Sequence, residues 1–149
     1  MVLIKKADLD HRAPLAQLFD HYRVFYKNQT DIEKARDFIR ERITRKDSEI
    51  PACFNDEGIM VGFAQLYPLF SSTRMRKLWL LNDLYVEQHQ RGPGYSKLLI
   101  EKAKELCRET NAAGLILETS KQNMIGNNLY PATGFVLDKE HNFYSWDNV

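Results

Sequence analysis

A chain of 149 residues, 44% of them apolar, is long enough for one ordinary domain with a core of its own. Its charged residues, 28% of the chain, cancel to a formal net charge of +1, which argues against both a general nucleic-acid binder and an acidic disordered chain. No apolar run reaches the length of a membrane span, and the opening MVLIKKADL has too short an apolar stretch for a secretion signal.

The stretch VLIKKA reads as a first strand. In DHRAPLAQLFDHYRVFY the apolar residues Leu15, Leu18, Phe19, Tyr22, Phe25 and Tyr26 fall at helical spacing, with Asp10 as the expected N-cap. TDIEKARDFIRERI starts a second helix. Thr30 and Glu33 match the capping-box pattern, and Ile32, Ala35, Phe38, Ile39 and Ile43 form its apolar stripe. IPACFNDEGIMVGFAQLYPLF predicts two strands around a turn at Asn55–Gly58, and MRKLWLLNDLYV predicts a third, long and mostly apolar. Tyr95, Leu98, Leu99, Ala103, Leu106 and Cys107 mark one face of a further helix. AGLILET is a continuous apolar run, as expected of a strand buried on both sides. NMIGNNLYPATGF predicts a short helix that Pro131 and Gly134 close, and FYSW predicts a last strand. The order βααβββαβαβ, with no repeat or linker, predicts a mixed α/β sheet in one domain over residues 1–149.

Cys53 and Cys107 lie in apolar-patterned segments without CxxC spacing, so they read as reduced core thiols of a cytoplasmic protein. His11, His21, His89 and His141 are scattered with no second ligand at metal spacing, and no metal is expected. The charge-rich RERITRKDSE reads as a solvated face.

The segment EQHQRGPGYSKLL stands between a strand and a helix. Free N–H groups at a helix N-terminus attract anions, and glycines let a phosphate approach the backbone. It is neither a Walker loop nor a dinucleotide-binding fingerprint, because Lys97 stands where each would need glycine. Two segments together carry a more specific resemblance. Arg91, Gly92, Pro93, Gly94, Tyr95 and Ser96 match the pyrophosphate loop [RQ]-x-x-G-x-[GA], with Ser96 in the place of the usual Gly or Ala. Asn123, Leu129, Tyr130, Gly134 and Phe135 match the later N-x-x-A-x-x-L-Y-x-x-x-G-F element, with Gly126 in the place of alanine. The chain thus resembles the GNAT superfamily of acyl-CoA-dependent N-acetyltransferases, and the element order follows it over nearly the whole length. LWLLNDLYV and HYRVFY look closest to the yeast histone and polyamine acetyltransferase group. Spermidine/spermine acetyltransferases are similar over this strand but carry an acidic residue where this chain has Asn82.

The resemblance implies a GNAT-like fold, a central mixed sheet flanked by helices. It implies acetyl transfer from acetyl-CoA to a primary amine, either a polyamine or diamine or a protein lysine, by direct attack in a ternary complex. Leu84, Tyr85 and Val86 would pair with the pantetheine arm between two splayed strands. The backbone of Arg91, Gly92, Pro93, Gly94, Tyr95, Ser96 and Lys97 would hold the pyrophosphate. Tyr130 would protonate the leaving thiolate, or only pack against the cofactor. Asn123 would support the cofactor or cap its helix.

The attacking amine must be neutral, which at pH 7 costs an alkyl ammonium about 4–5 kcal/mol. A base is therefore required, with Asp83 and Glu118 as candidates. Successive strand residues face opposite ways, so only one of Asn82 and Asp83 faces the substrate unless a bulge intervenes. Tyr22, Tyr26 and Asn82 are assigned to the acceptor site. Phe25, Tyr67 and Phe70 are further aromatic candidates that suit a cationic amine, the other reading of this stripe being plain core. GFVL and FYSW would pair across a homodimer, as in many relatives. A non-catalytic acyl-CoA sensor is the competing reading. A nucleotide-binding regulatory domain is a third, disfavoured by the loop.

Overall fold

The computed structural model describes residues 3–149. Val2, part of the predicted first strand, lies outside the described residues. The chain divides into two compact units, one running to Glu118 and the other Thr119–Val149.

The first unit is built on a mixed five-stranded sheet in sequential order: β1 (Leu3–Lys6), β2 (Pro51–Phe54), β3 (Met60–Ser71), β4 (Arg76–Val86) and β5 (Leu115–Ile116). Neighbours are antiparallel except β4 and β5, which are parallel. Helices α1 (Arg12–Phe25) and α2 (Ile32–Arg45) pack on each other, and α1 packs on β3 and β4. Helix α3 (Tyr95–Glu109) packs against β2, β3 and β4. Cross-strand partners share a face of a sheet. Phe63, opposite Tyr85, meets the rings of Phe19 and Tyr22 and so faces α1. Trp79, opposite Pro68, donates from Nε1 to Thr110 Oγ1 (2.9 Å) at the end of α3 and so faces that helix.

Local chemistry adjusts several predicted boundaries. The first N-cap is Asp8, not Asp10: Asp8 Oδ1 accepts from the backbone N–H of Asp10 (2.9 Å) and opens a 3-10 turn over Leu9–His11 ahead of α1. Asp31 rather than Thr30 caps α2, accepting from Lys34 N (3.1 Å), because the Thr30 hydroxyl is spent on buried Asp20. The β2–β3 turn forms at Asn55–Gly58 as predicted: Asn55 Oδ1 accepts from Glu57 N and Ile59 N, and Gly58 has a φ of 78°. On α3 the buried face includes Ile100, while Leu98 is exposed. Strand β5 is shorter than AGLILET suggested and is not buried on both sides, since Ile116 is exposed.

The second unit holds α4 (Met124–Ala132), which ends as predicted with Gly134 at φ 97° and Phe135 N donating to Tyr130 O (3.0 Å). GFVL and FYSW are not strands here. Val136, Leu137, Phe143, Tyr144 and Trp146 are all exposed, so no sheet has been found for them within this chain. A short apolar run records what a segment prefers to pack against, not whether a partner is present.

Candidate active site

Three features of the first unit converge on the far half of β4. The first is a parted ladder. β4 meets β5 only at Trp79↔Leu115 and Leu80↔Ile116. From Leu81 to Val86 that edge of β4 has no strand beside it among the described residues. Leu84, Tyr85 and Val86, the residues assigned to pantetheine pairing, lie on this stretch. Unpaired backbone groups at a sheet edge are a template for an extended ligand.

The second is the turn after β4. Gly92 has a φ of 117° and Gly94 a φ of 88°, a region costly for residues with a Cβ. A Cβ built at either would meet no atom within 4 Å, so the space before both is open. Gly94 is the N-cap of α3 and no side chain caps that helix, which leaves its first-turn N–H groups to a ligand or water. Pro93, Ser96 and Lys97 lie on this turn and first helical turn, whereas Tyr95 is buried in the core. These features fit an anionic, extended ligand such as the pyrophosphate and pantetheine of a CoA. The Arg91 side chain is otherwise engaged. Its Nε donates to Val86 O (3.0 Å), and its guanidinium lies 5.1 Å from the Phe25 ring centre and 5.8 Å from that of Tyr85. Arg91 thus braces the turn against β4 and α1.

The third is a β-bulge. Gln65 lies opposite Asp83 and Leu66 opposite Leu81, so Asn82 is the extra residue. The bulge reverses the alternation of β4. Trp79 and Leu81 sit on the α3 side with Pro68 and Leu66, whereas Asp83 and Tyr85 sit on the α1 side with Gln65 and Phe63. It brings Asp83, 3% exposed, under α1. Gln65 Nε2 donates to Asp83 Oδ2 (2.6 Å), and Asn82 Nδ2 donates to Asp83 Oδ1 (2.8 Å). The Tyr22 hydroxyl donates to Asn82 O (3.2 Å) and also interacts with the Asp83 carboxylate. Burial pushes the Asp83 carboxyl above the usual carboxylate range, and the donors from Gln65, Asn82 and Tyr22 offset only part of that rise.

Aromatic rings gather on the same side. Tyr22 stands 5.0 Å from Tyr26 and 6.2 Å from Tyr85, and Phe25 stands 5.2 Å from Tyr26. Phe25 and Tyr26 are exposed, so this end of α1 is only partly core. Tyr67, opposite Leu80, feels the Asp83 charge; burial first and that charge second push its hydroxyl up. Phe70 is exposed opposite Lys77 and does not join the cluster, because it lies on the face of β3 shared with Leu66 and Pro68, opposite that of Gln65 and Tyr67. Glu118 is exposed and lies outside β5. His21 pairs with Glu87, tying α1 to the start of the turn, a contact that sequence spacing did not reveal.

In the second unit, Asn123 is the N-cap of α4. Its Oδ1 accepts from Gly126 N (3.1 Å) and its Nδ2 donates to Thr119 Oγ1 (2.9 Å), so both ends of the amide serve the helix. A Cβ on Gly126 would lie 2.6 Å from Asn123 Nδ2 and 3.2 Å from the Tyr130 ring, which explains glycine where alanine was expected. Tyr130 stacks edge-on with Phe135 at 5.7 Å. Among the described residues no cluster of three His, Cys, Asp or Glu side chains has the form of a metal site.

Comparison with known proteins adds an independent line. The acetyltransferase (GNAT) family pattern matches residues 15–135. The uncharacterized N-acetyltransferase YhfO of Bacillus subtilis (strain 168) is 35% identical over 135 residues, covering 91% of this chain and 90% of that protein. The crystal structure of a probable acetyltransferase superposes with a TM-score of 0.94 at 36% identity, covering 99% of this chain and 98% of the other. The aminoglycoside N-acetyltransferase AAC(6')-Iy in complex with CoA shares the fold, with a TM-score of 0.81 at 18% identity over 98% of this chain and 95% of the other.

Proposed function

The chain belongs to the GNAT family of acetyltransferases, and from that premise we propose that it moves an acetyl group from acetyl-CoA to a primary amine by direct attack. The observation that carries this reading is the open β4 edge running into the glycine turn and the uncapped start of α3. Leu84, Tyr85 and Val86 would hold the pantetheine arm, and backbone N–H groups of the turn from Arg91 to Lys97 the pyrophosphate. Acetyl-CoA, once bound, supplies an activated thioester.

The residues of the chain do the rest. Tyr22, Tyr26 and Asn82 wall the acceptor, and aromatic faces favour a cation. Asp83 takes the proton of the ammonium, directly or through the Tyr22 hydroxyl. Its burial supports the role, since a carboxyl raised toward neutral pH is a better base than an ordinary one. Tyr130 donates to the leaving sulfur, a role supported by its match to the family element. The acceptor is a polyamine or diamine, or a protein lysine. The likeness of Leu78–Val86 to the yeast histone and polyamine group supports that range. The chain acts as one catalytic domain and as a homodimer in the cytoplasm. The exposed apolar tail supports the dimer, and two buried free thiols suit a reducing compartment.

Thiol release from acetyl-CoA against spermine, spermidine, short diamines, a histone-tail peptide and free amino acids tests the proposal. Release with one amine class is expected, together with a fall in kcat of about tenfold or more for Tyr130→Phe with acetyl-CoA binding retained. Tight acetyl-CoA binding without release to any amine would overturn it.

A further inference from the structure

Behind Asp83 stand two buried polar residues, Gln65, which donates to it, and Ser48, which donates to Gln65. Gln65 is fully buried in an otherwise apolar stretch of β3, and Ser48, 8% exposed, lies just ahead of β2. The Ser48 hydroxyl donates to Gln65 Oε1 (2.9 Å), and Gln65 Nε2 donates to Asp83 Oδ2 (2.6 Å). An amide has one accepting and one donating end of nearly equal size, so packing alone does not choose its orientation. Ser48 makes the choice. Its hydroxyl occupies the carbonyl end and turns the NH2 toward Asp83. In the opposite orientation two acceptor oxygens would face each other, a state tolerable only with a proton on Asp83.

We propose that Ser48 and Gln65 are positioning residues that keep Asp83 ionised between turnovers, so that it stands ready to receive the proton of the incoming amine. A serine hydroxyl can both donate and accept. It therefore satisfies Gln65 before proton uptake, donating to Oε1, and after it, accepting from Nε2 if the amide turns over. The proton goes from the amine nitrogen to an Asp83 oxygen and leaves to solvent after transfer. The other groups acting on Asp83 are Asn82 beside it and Tyr22 from α1, which donate to it, and Tyr67, two residues on from Gln65 on β3, with Tyr85 next along the same face of β4. Arg42 of α2 and Asp47 just after it act on Tyr67. None of these depends on Ser48, so the effect of its hydroxyl is separable.

The inference rests on Asp83 being the base, and its test reads ionisation without using activity. The carboxyl 13C chemical shift of Asp83, assigned by its loss in Asp83→Asn, is followed against pH in the wild type, Ser48→Ala, Ser48→Thr and Gln65→Met. Losing a donor to the carboxylate moves its titration upward, and a shift of about one pH unit is expected in Ser48→Ala and Gln65→Met. Ser48→Thr, which restores the hydroxyl, should titrate close to the wild type. The acid limb of kcat/KM should move by the same amount. An unchanged midpoint in Ser48→Ala would overturn the inference, and that variant decides alone if Gln65→Met does not fold. A shifted midpoint with an unmoved acid limb would uphold the relay and remove Asp83 as the base.

Discussion

The bulge of β4 and the tail beyond α4 answer the same physical demand in opposite ways. Around the bulge a carboxylate, the Gln65 amide and a hydroxyl are buried together, and each has a partner. Among the described residues no buried side-chain nitrogen or oxygen lacks one. In the tail the residues with most to gain from burial, Phe143, Tyr144 and Trp146, stay about four-fifths exposed. The first region is complete within the chain. The second carries exposed apolar surface whose burial would contribute about 25 cal/mol per Å². A buried polar site costs free energy to hold, and its retention points to chemistry. An exposed apolar stretch is unfinished packing and points to assembly.

Removing the centre of the complete region should have the largest effect. Asp83→Asn leaves a side chain of the same shape but takes away the proposed base, and kcat/KM should fall by about a hundredfold or more. Stability should move the other way. The native carboxyl sits above its unfolded value of 3.8, so the folded state holds more protons between the two and loses stability as pH rises through that window. Asp83→Asn lacks that slope, so the melting temperature of the variant relative to the wild type should climb from acid to alkaline pH. Parallel melting curves across that range would mean that Asp83 is an ordinary structural carboxylate.

That prediction also marks how far the sequence could be read. The glycine turn was legible because φ constraints and helix-start chemistry are local, and Gly92 and Gly94 have the positive φ that the motif implies. Asp83 was legible as a lone acid in an apolar strand. The bulge was not, because it belongs to the pairing of two strands and appears only when Gln65 is set against Asp83. Ser48 and Gln65 share that limit: an amide inside VGFAQLYPLF was a visible oddity, but its partner lies 17 positions away in the chain. The last strands failed for a related reason. Their apolar character is real, but strand formation needs a neighbour that local sequence does not supply.

The tail offers the next test of the contrast. If a second copy covers it, Trp146→Ser should raise the dimer dissociation constant by about tenfold or more, as expected for one buried aromatic at about 1.5–3 kcal/mol. Light scattering over a dilution series reads this directly. The sheet should be untouched, so the melting temperature of the diluted monomer should match that of the wild type. A wild-type mass that is monomeric at micromolar concentration would sink the dimer and leave the tail as a surface for another partner.

The smallest expected effect lies back in the complete region. Cys53 is fully buried, and burial pushes its thiol up to about 12. At pH 8 roughly one molecule in ten thousand carries the thiolate, the form that attacks a disulfide reagent. Access is closed as well. Across the strand pair, a Cβ on Gly62 would lie 2.9 Å from the Cys53 sulfur and 2.8 Å from Tyr85 O, so β2, β3 and β4 leave no gap there. Cys107, on α3, is also buried and raised by burial. Ellman's reagent should therefore label the native protein far more slowly than a free thiol, and label both cysteines at once in denaturant. Reaction of Cys53 at a peptide-like rate would mean that the sheet opens between β2 and β3 in the native state. The network around Asp83 shares β3 with that seam, so it would then be only intermittently dry, and the rise in the Asp83 carboxyl on which its proposed role as base depends would shrink with it.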